Sequence, residues 1–304
     1  MHTRPALRTS AFKQVDVFTS EPMRGNPLAV VLDAEGLDDA TMQRIAAWTN
    51  LSETTFVLPP TEPGADYRVR IFTPRSELAF AGHPSVGTAH ALLEAERVAA
   101  KTELVQQCGA GLLPLRVEGD GATRRIFVRA PQATLHAPER ALAAAAGDAL
   151  AAPGTVALAR AVDLGLRWLV CDLDRAERVR ALRPDFDAVA RLTRARDAVG
   201  LCVFGRGDER DAPCALVVRA FCPADGIAED PVTGSANAAI AAHLWASGAL
   251  AAIGHRYGAS QGRELGRDGR VEVCVDEASG AVEIGGASLT CIDGTLALPI
   301  GTAP

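Results

Sequence analysis

Strand-like and helix-like hydrophobic patterns alternate along the whole chain. Phe12-Lys13-Gln14-Val15-Asp16-Val17-Phe18 alternates apolar and polar positions, and residues 28–32 form an unbroken apolar run, so both predict strands. Asp38 or Asp39 is placed to cap a helix that runs to about Trp48. Residues 54–58 and 67–72 predict further strands, 84–97 a helix, and 104–128 several short strands punctuated by Gly and Pro. The second half repeats this mixture, and its Ala-rich stretch 141–152 predicts a plain surface helix.

The pattern also repeats at the level of motifs. Arg68-Val69-Arg70-Ile71-Phe72-Thr73-Pro74 lines up with Val217-Val218-Arg219-Ala220-Phe221-Cys222-Pro223. Downstream, His83-Pro84-Ser85-Val86-Gly87-Thr88-Ala89 lines up with Asp230-Pro231-Val232-Thr233-Gly234-Ser235-Ala236. Two matched blocks in the same order, about half a chain apart, predict a duplicated domain. The expected division is an N-terminal lobe at 10–130 and a C-terminal lobe at 131–292, with a last strand at about 293–304 crossing back to the first lobe. Proline is favoured at the first helical position, so Pro84 and Pro231 are expected to start helices, with His83 and Asp230 near the caps. Both following segments are apolar or small on nearly every side, which predicts a buried central helix in each lobe. Gly87 and Gly234 are expected to keep the first turns slim enough for close approach of a ligand or another segment.

These helix starts carry the candidate chemistry. A helix N-terminus has unpaired N–H groups and the positive end of its dipole, which suits a carboxylate, and two such ends facing each other make a cleft for a small anion. Taken singly, a proline at a helix start is a common cap. A pair of unlike proton carriers, His83 and Asp230, at matched positions suits acid/base work. Glu53, in Asn50-Leu51-Ser52-Glu53-Thr54, is expected where a helix gives way to a strand, a setting in which desolvation can raise a carboxyl pKa.

Composition narrows the alternatives. A chain of 304 residues, 48% hydrophobic and 22% charged, is ordinary for a soluble protein with one large or two smaller domains. A net charge of −6 without basic runs argues against nucleic acid or an anionic membrane as the partner. Residues 1–10 have no apolar core of a signal peptide and no stretch reaches spanning length, so a cytoplasmic protein is expected. The 7 cysteines form no Cys-x-x-Cys pair and no clustered histidines show ligand spacing, so no metal is expected. The only lysines are Lys13 and Lys101, both outside the motifs, and nucleotide-binding glycine motifs are missing. No cofactor is expected. His2, His90, His136, His243 and His255 read as structural or surface residues, with His90 on the first central helix.

At these residues the sequence resembles the PhzF family of phenazine biosynthesis-like proteins, which are similar in fold to diaminopimelate epimerase. The resemblance rests on Val15-Asp16-Val17-Phe18-Thr19, Gly25-Asn26-Pro27-Leu28-Ala29-Val30-Val31, Asn50-Leu51-Ser52-Glu53-Thr54, Glu77-Leu78-Ala79-Phe80-Ala81-Gly82-His83-Pro84, Glu229-Asp230-Pro231-Val232-Thr233-Gly234-Ser235-Ala236 and Ser260-Gln261-Gly262. It implies an α+β fold of two pseudo-symmetric lobes, each a curved, mostly antiparallel sheet or barrel around a central helix. It further implies a cofactor-independent isomerase that moves a proton within a small carboxylated substrate, as trans-2,3-dihydro-3-hydroxyanthranilate isomerase does. By motif position Glu53, His83 and Asp230 are the implied catalytic residues and Gly82, Gly234 and Ser235 the substrate-binding ones. A homodimer is implied as well. No cysteine occupies the helix starts, which disfavours a two-thiol racemase. The competing expectations are a one-carboxylate epimerase or racemase of an amino or hydroxy acid, and a non-catalytic small-anion-binding protein of the same fold.

Overall fold

A computed structural model describes residues 7–299; the remainder of the expected last strand and His2 lie outside them. Two compact units divide the chain. One holds residues 7–23, 27–128 and 287–299, the other 24–26 and 129–286.

The first unit runs β1 (Leu7–Val17), β2 (Asn26–Val31), α1 (Asp39–Thr49), β3 (Glu53–Leu58), β4 (Tyr67–Phe72), β5 (Glu77–Leu78), α2 (Gly82–Glu94), β6 (Glu103–Cys108), β7 (Gly111–Glu118) and β8 (Arg125–Arg129). The second runs β9 (Thr134–Leu135), α3 (Arg140–Ala149), β10 (Leu158–Asp163), β11 (Arg167–Arg175), α4 (Ala176–Ala181), α5 (Phe186–Ala195), β12 (Gly200–Arg206), β13 (Leu216–Cys222), β14 (Ile227–Asp230), α6 (Gly234–Ala246), β15 (Arg256–Gln261), β16 (Gly269–Val275) and β17 (Val282–Gly286). The last strand, β18 (Ser288–Pro299), belongs to the first unit, where it pairs antiparallel with β1 from Leu7↔Pro299 to Val17↔Ser288.

Each unit is mostly antiparallel with parallel pairs at the same places. In the first, β3 is parallel to β2 and antiparallel to β4, β4 is antiparallel to β5, and β6 returns parallel to β4. In the second, β12 is parallel to β11 and antiparallel to β13, β13 is antiparallel to β14, and β15 returns parallel to β13. Even the register agrees: Arg68 faces Gln107 where its sequence counterpart Val217 faces Ser260. A parallel return needs a long crossover, and α2 and α6 supply it. Both helices are 13 residues long and buried along nearly their whole length, because small and apolar side chains surround them on every face.

Several local expectations change. Helix α2 begins at Gly82 and α6 at Gly234, so Pro84 lies inside the first turn and Pro231 before the helix. Proline is tolerated anywhere in that turn, where the N–H it lacks has no intrahelical partner, so it does not mark a single position. Counted from the strands, β5 ends at Leu78 and β14 at Asp230, each with three residues between it and its helix. Gly82-His83 is therefore matched by Gly234-Ser235, and the expected equivalence of His83 with Asp230 is out of register by five residues. Gly87 is not a ligand approach: a Cβ there would stand 2.7 Å from both Leu28 Cδ2 and Val17 Cγ2, so its smallness lets α2 pack on the sheet. Nor is the Ala-rich helix a plain surface one, since Leu142, Ala146 and Ala149 of α3 are buried in a core with Leu169, Leu201 and Phe221. Alanine is small enough to lie flat on a sheet, which its composition alone does not reveal. Among the described residues no helix is long and apolar enough to cross a membrane.

Candidate active site

Glu53 owes its place to a sharp change of direction. Helix α1 is capped by Asp38, whose carboxylate accepts from Thr41 N at 2.7 Å, and it ends at Asn50 in the left-handed conformation (φ 54°). Asparagine tolerates that conformation better than most residues, so the chain can turn at once into β3. Hydroxyls then fasten the turn. Thr49 and Thr54 share a 2.8 Å hydrogen bond, Thr55 donates to Ala29 O at 3.3 Å, and Thr88 of α2 donates to Thr55 at 2.9 Å. This last bond ties the central helix to the strand that Glu53 opens.

The tie brings Glu53 to the start of α2. Its Oε2 lies 3.4 Å from His83 Nε2, with side-chain exposures of 16% and 8%. Oε2 accepts no hydrogen bond within the described residues. Desolvation raises the Glu53 pKa to about 7, opposed by a hydrogen bond from Ser52. A carboxyl poised there exists in both protonation states near neutrality, which is what a group that both takes and returns a proton requires. Gly82 and His83 open the helix, and Ala81 at the cap has no side chain able to occupy the first-turn N–H groups.

In the second unit the predicted residues sit in a hydrogen-bonded polar cluster. Asp230 Oδ1 accepts from Asn26 Nδ2 at 3.1 Å and Oδ2 from Thr233 Oγ1 at 2.6 Å. Gln261 braces the same segment: Nε2 donates to Asp230 O (3.0 Å) and Thr233 Oγ1 (2.9 Å), and Oε1 accepts from Thr233 N (3.0 Å) and Asn237 Nδ2 (3.1 Å). Asn26 Nδ2 also reaches Val232 O at 2.8 Å. Gly234 begins α6, and Ser235 Oγ accepts from the buried indole of Trp168 at 3.2 Å. No cap side chain bonds the first turn of this helix either. Such networks fix side-chain positions because several hydrogen bonds hold the same segment.

Asn26, Thr233, Gln261 and Trp168 were not expected as site residues. Asn26 and Gln261 lie in the Gly25-Asn26-Pro27 and Ser260-Gln261-Gly262 motifs, so the signal was present, but Asn26 stands 204 positions from Asp230 and only folding joins them. Gly262 is constrained too. At φ +92° it lies under Pro231, and a Cβ would fall 2.4 Å from Pro231 O. Among the described residues no group of three or more His, Cys, Asp or Glu is arranged to hold a metal ion, and all seven cysteines are free thiols.

An α+β fold with a buried central helix in each unit carries a desolvated carboxyl beside an imidazole at one helix start, a pair suited to proton transfer. Known proteins make the assignment specific. The chain is 38% identical over 293 residues to antisense-enhancing sequence 1 of Schizosaccharomyces pombe, covering 93% of this chain and 97% of that protein. It is 36% identical over 288 residues to trans-2,3-dihydro-3-hydroxyanthranilate isomerase of Pseudomonas aeruginosa, covering 92% and 96%. The crystal structure of a PhzF-family phenazine biosynthesis protein from Bacillus anthracis superposes with a TM-score of 0.81 at 27% identity, covering 95% of this chain and 99% of that one. The family model for phenazine biosynthesis-like proteins matches residues 15–294, and the chain belongs to that family. It is a PhzF-like isomerase.

Proposed function

We propose that the protein is a cofactor-independent isomerase that moves a proton between two carbons of a small carboxylated substrate, with trans-2,3-dihydro-3-hydroxyanthranilate as the first compound to try. The observation that carries this reading is the Glu53 carboxyl, buried, raised to about 7 and 3.4 Å from His83. As carboxylate it takes a proton from the substrate, and as acid it returns the proton at a second carbon. His83 polarises the group on which charge develops, and Asp230 orients the substrate through its fixed carboxylate. The first-turn N–H groups at Gly82 and Gly234, with Ser235, suit the substrate carboxylate. The P. aeruginosa relative carries the name of that activity, which supports the choice of compound. The family resemblance further supports a homodimer and the composition a cytoplasmic protein, and light scattering at micromolar concentration that returned the mass of one chain would refute the dimer.

The test is proton NMR in deuterated buffer with trans-2,3-dihydro-3-hydroxyanthranilate. Wild type is expected to consume it and form the isomer, while Glu53→Gln loses about 10²-fold or more in turnover. A loss below about tenfold removes Glu53 from the proton path. Deuterium entering an unisomerised substrate with inversion would instead mark an epimerase.

A further inference from the structure

Beside Asp230 lies a buried ion pair that the proposed chemistry does not use. Arg219 on β13 grips Glu229 on β14 with two parallel bonds, Nε to Oε1 at 2.9 Å and Nη2 to Oε2 at 2.8 Å, and the side chains are only 6% and 5% exposed. The remaining arm, Nη1, donates to Val179 O (3.2 Å) and Leu182 O (3.1 Å) where α4 ends. The guanidinium carbon lies 5.1 Å from the centre of the Phe221 ring. One side chain thus ties a strand, its hairpin partner and a helix terminus.

The first unit contains the same device. Arg70, the counterpart of Arg219 in the repeated Arg-x-Phe-x-Pro motif, grips Glu77 on β5 with Nε to Oε1 at 2.7 Å and Nη2 to Oε2 at 2.6 Å. Its carbon lies 5.1 Å from the Phe72 ring, and Nη1 bonds Asp39 at the start of α1 at 2.6 Å. Glu77 faces Phe72, and Glu229 occupies the corresponding stretch opposite Phe221. The clamp therefore recurs with its ring, its hairpin partner and its helix end.

Burying two charges brings little net stability, because desolvation offsets their attraction, but bidentate geometry fixes position closely. The ladder gives β14 little of that, although Asn26, Thr233 and Gln261 hold its last residue. This four-residue strand pairs with β13 only at Ala220↔Asp230 and Cys222↔Ile227, with an irregularity between them, and Glu229 falls in that gap. Building on the reading of Asp230 as a substrate contact, we propose that Arg219 and Glu229 are positioning residues that lock β14 in the register presenting the Asp230 carboxylate.

The experiment uses the full-length protein with Arg219→Lys and the double variant Arg219→Met/Glu229→Leu. The double variant leaves no unpaired buried charge and is expected to melt within about 5 °C of wild type. Turnover of trans-2,3-dihydro-3-hydroxyanthranilate per folded molecule is expected to fall at least about tenfold in both variants, with Asp230 displaced by about 1 Å in the crystal structure of the double variant. Lysine falls with it because an ammonium cannot make the two-pronged grip. Wild-type kcat/KM in either folded variant, or Asp230 still bonded to Asn26 and Thr233 in the double variant, would overturn the proposal. Wild type inert towards the compound would refute that choice of substrate instead, and the position of Asp230 would still decide the clamp.

Discussion

Glu53 is the candidate site group brought closest to neutrality. Its pKa rises from an ordinary 4.5 to about 7 because burial penalises the carboxylate. A raised carboxyl contributes stability that is fully present below 4.5 and lost as pH rises through about 7. Glu53→Gln cannot ionise, so it is expected to match wild type near pH 4.5 and to exceed it above 7 by up to about 3 kcal/mol, read from urea unfolding at both ends of the range. Activity runs the other way, since the base form starts the reaction: kcat/KM is expected to climb through about pH 7. A flat profile from 5 to 9 would mean that Glu53 ionisation does not enter the rate. Around Asp230 the expectation concerns hydrogen bonds. Gln261→Leu leaves Thr233 N and the Asn237 amide without their acceptor, and it is expected to destabilise by about 2 to 3 kcal/mol in thermal or denaturant unfolding. The candidate carboxyl and histidine were legible because each stands in a short motif with distinctive neighbours. The network around Asp230 was not, because an amide side chain such as Gln261 carries no local sign of what it will bond.

At the scale of elements, two glycines hold the helices where they are. Gly87→Ala forces a methyl against Leu28 and Val17 and is expected to cost about 1 to 3 kcal/mol, with the site still formed because the strain falls on these two core side chains and not on a site residue. Gly262→Ala is harsher, combining a positive φ with a clash against the Pro231 carbonyl. It is expected to lower turnover along with stability, since Pro231 follows Asp230, and comparing kcat per folded molecule in the two variants separates the effects. Strand positions such as Tyr67–Phe72 follow directly from alternation, which the structure shows as buried and half-buried residues in turn. Helix starts were less legible. Proline suits a first turn, so composition pointed to Pro231 as the start, whereas β14 runs to Asp230 and the helix begins at Gly234.

At the scale of the whole chain, the first unit is closed by a strand from the far end. β18 supplies the antiparallel partner of β1 over its full length, and Lys13 secures the pair through Asp293 at 2.7 Å and Glu94 of α2 at 2.9 Å. A chain ending at Gly286 is expected to lose the first unit, seen as a loss of strand signal and of soluble yield. What the sequence by itself determined was local or repeated: alternating strands, two all-apolar helices, the matched Arg-x-Phe-x-Pro blocks and the motifs holding Glu53 and His83. Periodicity and motif order are written in neighbouring residues, so they survive without coordinates. Only the tertiary structure decided that Glu53 meets His83, that Asn26 meets Asp230, and that Gly82-His83 rather than His83 alone matches the second helix start. Those facts depend on strand register and on the packing of a helix against a sheet. Contacts between residues tens or hundreds of positions apart set both.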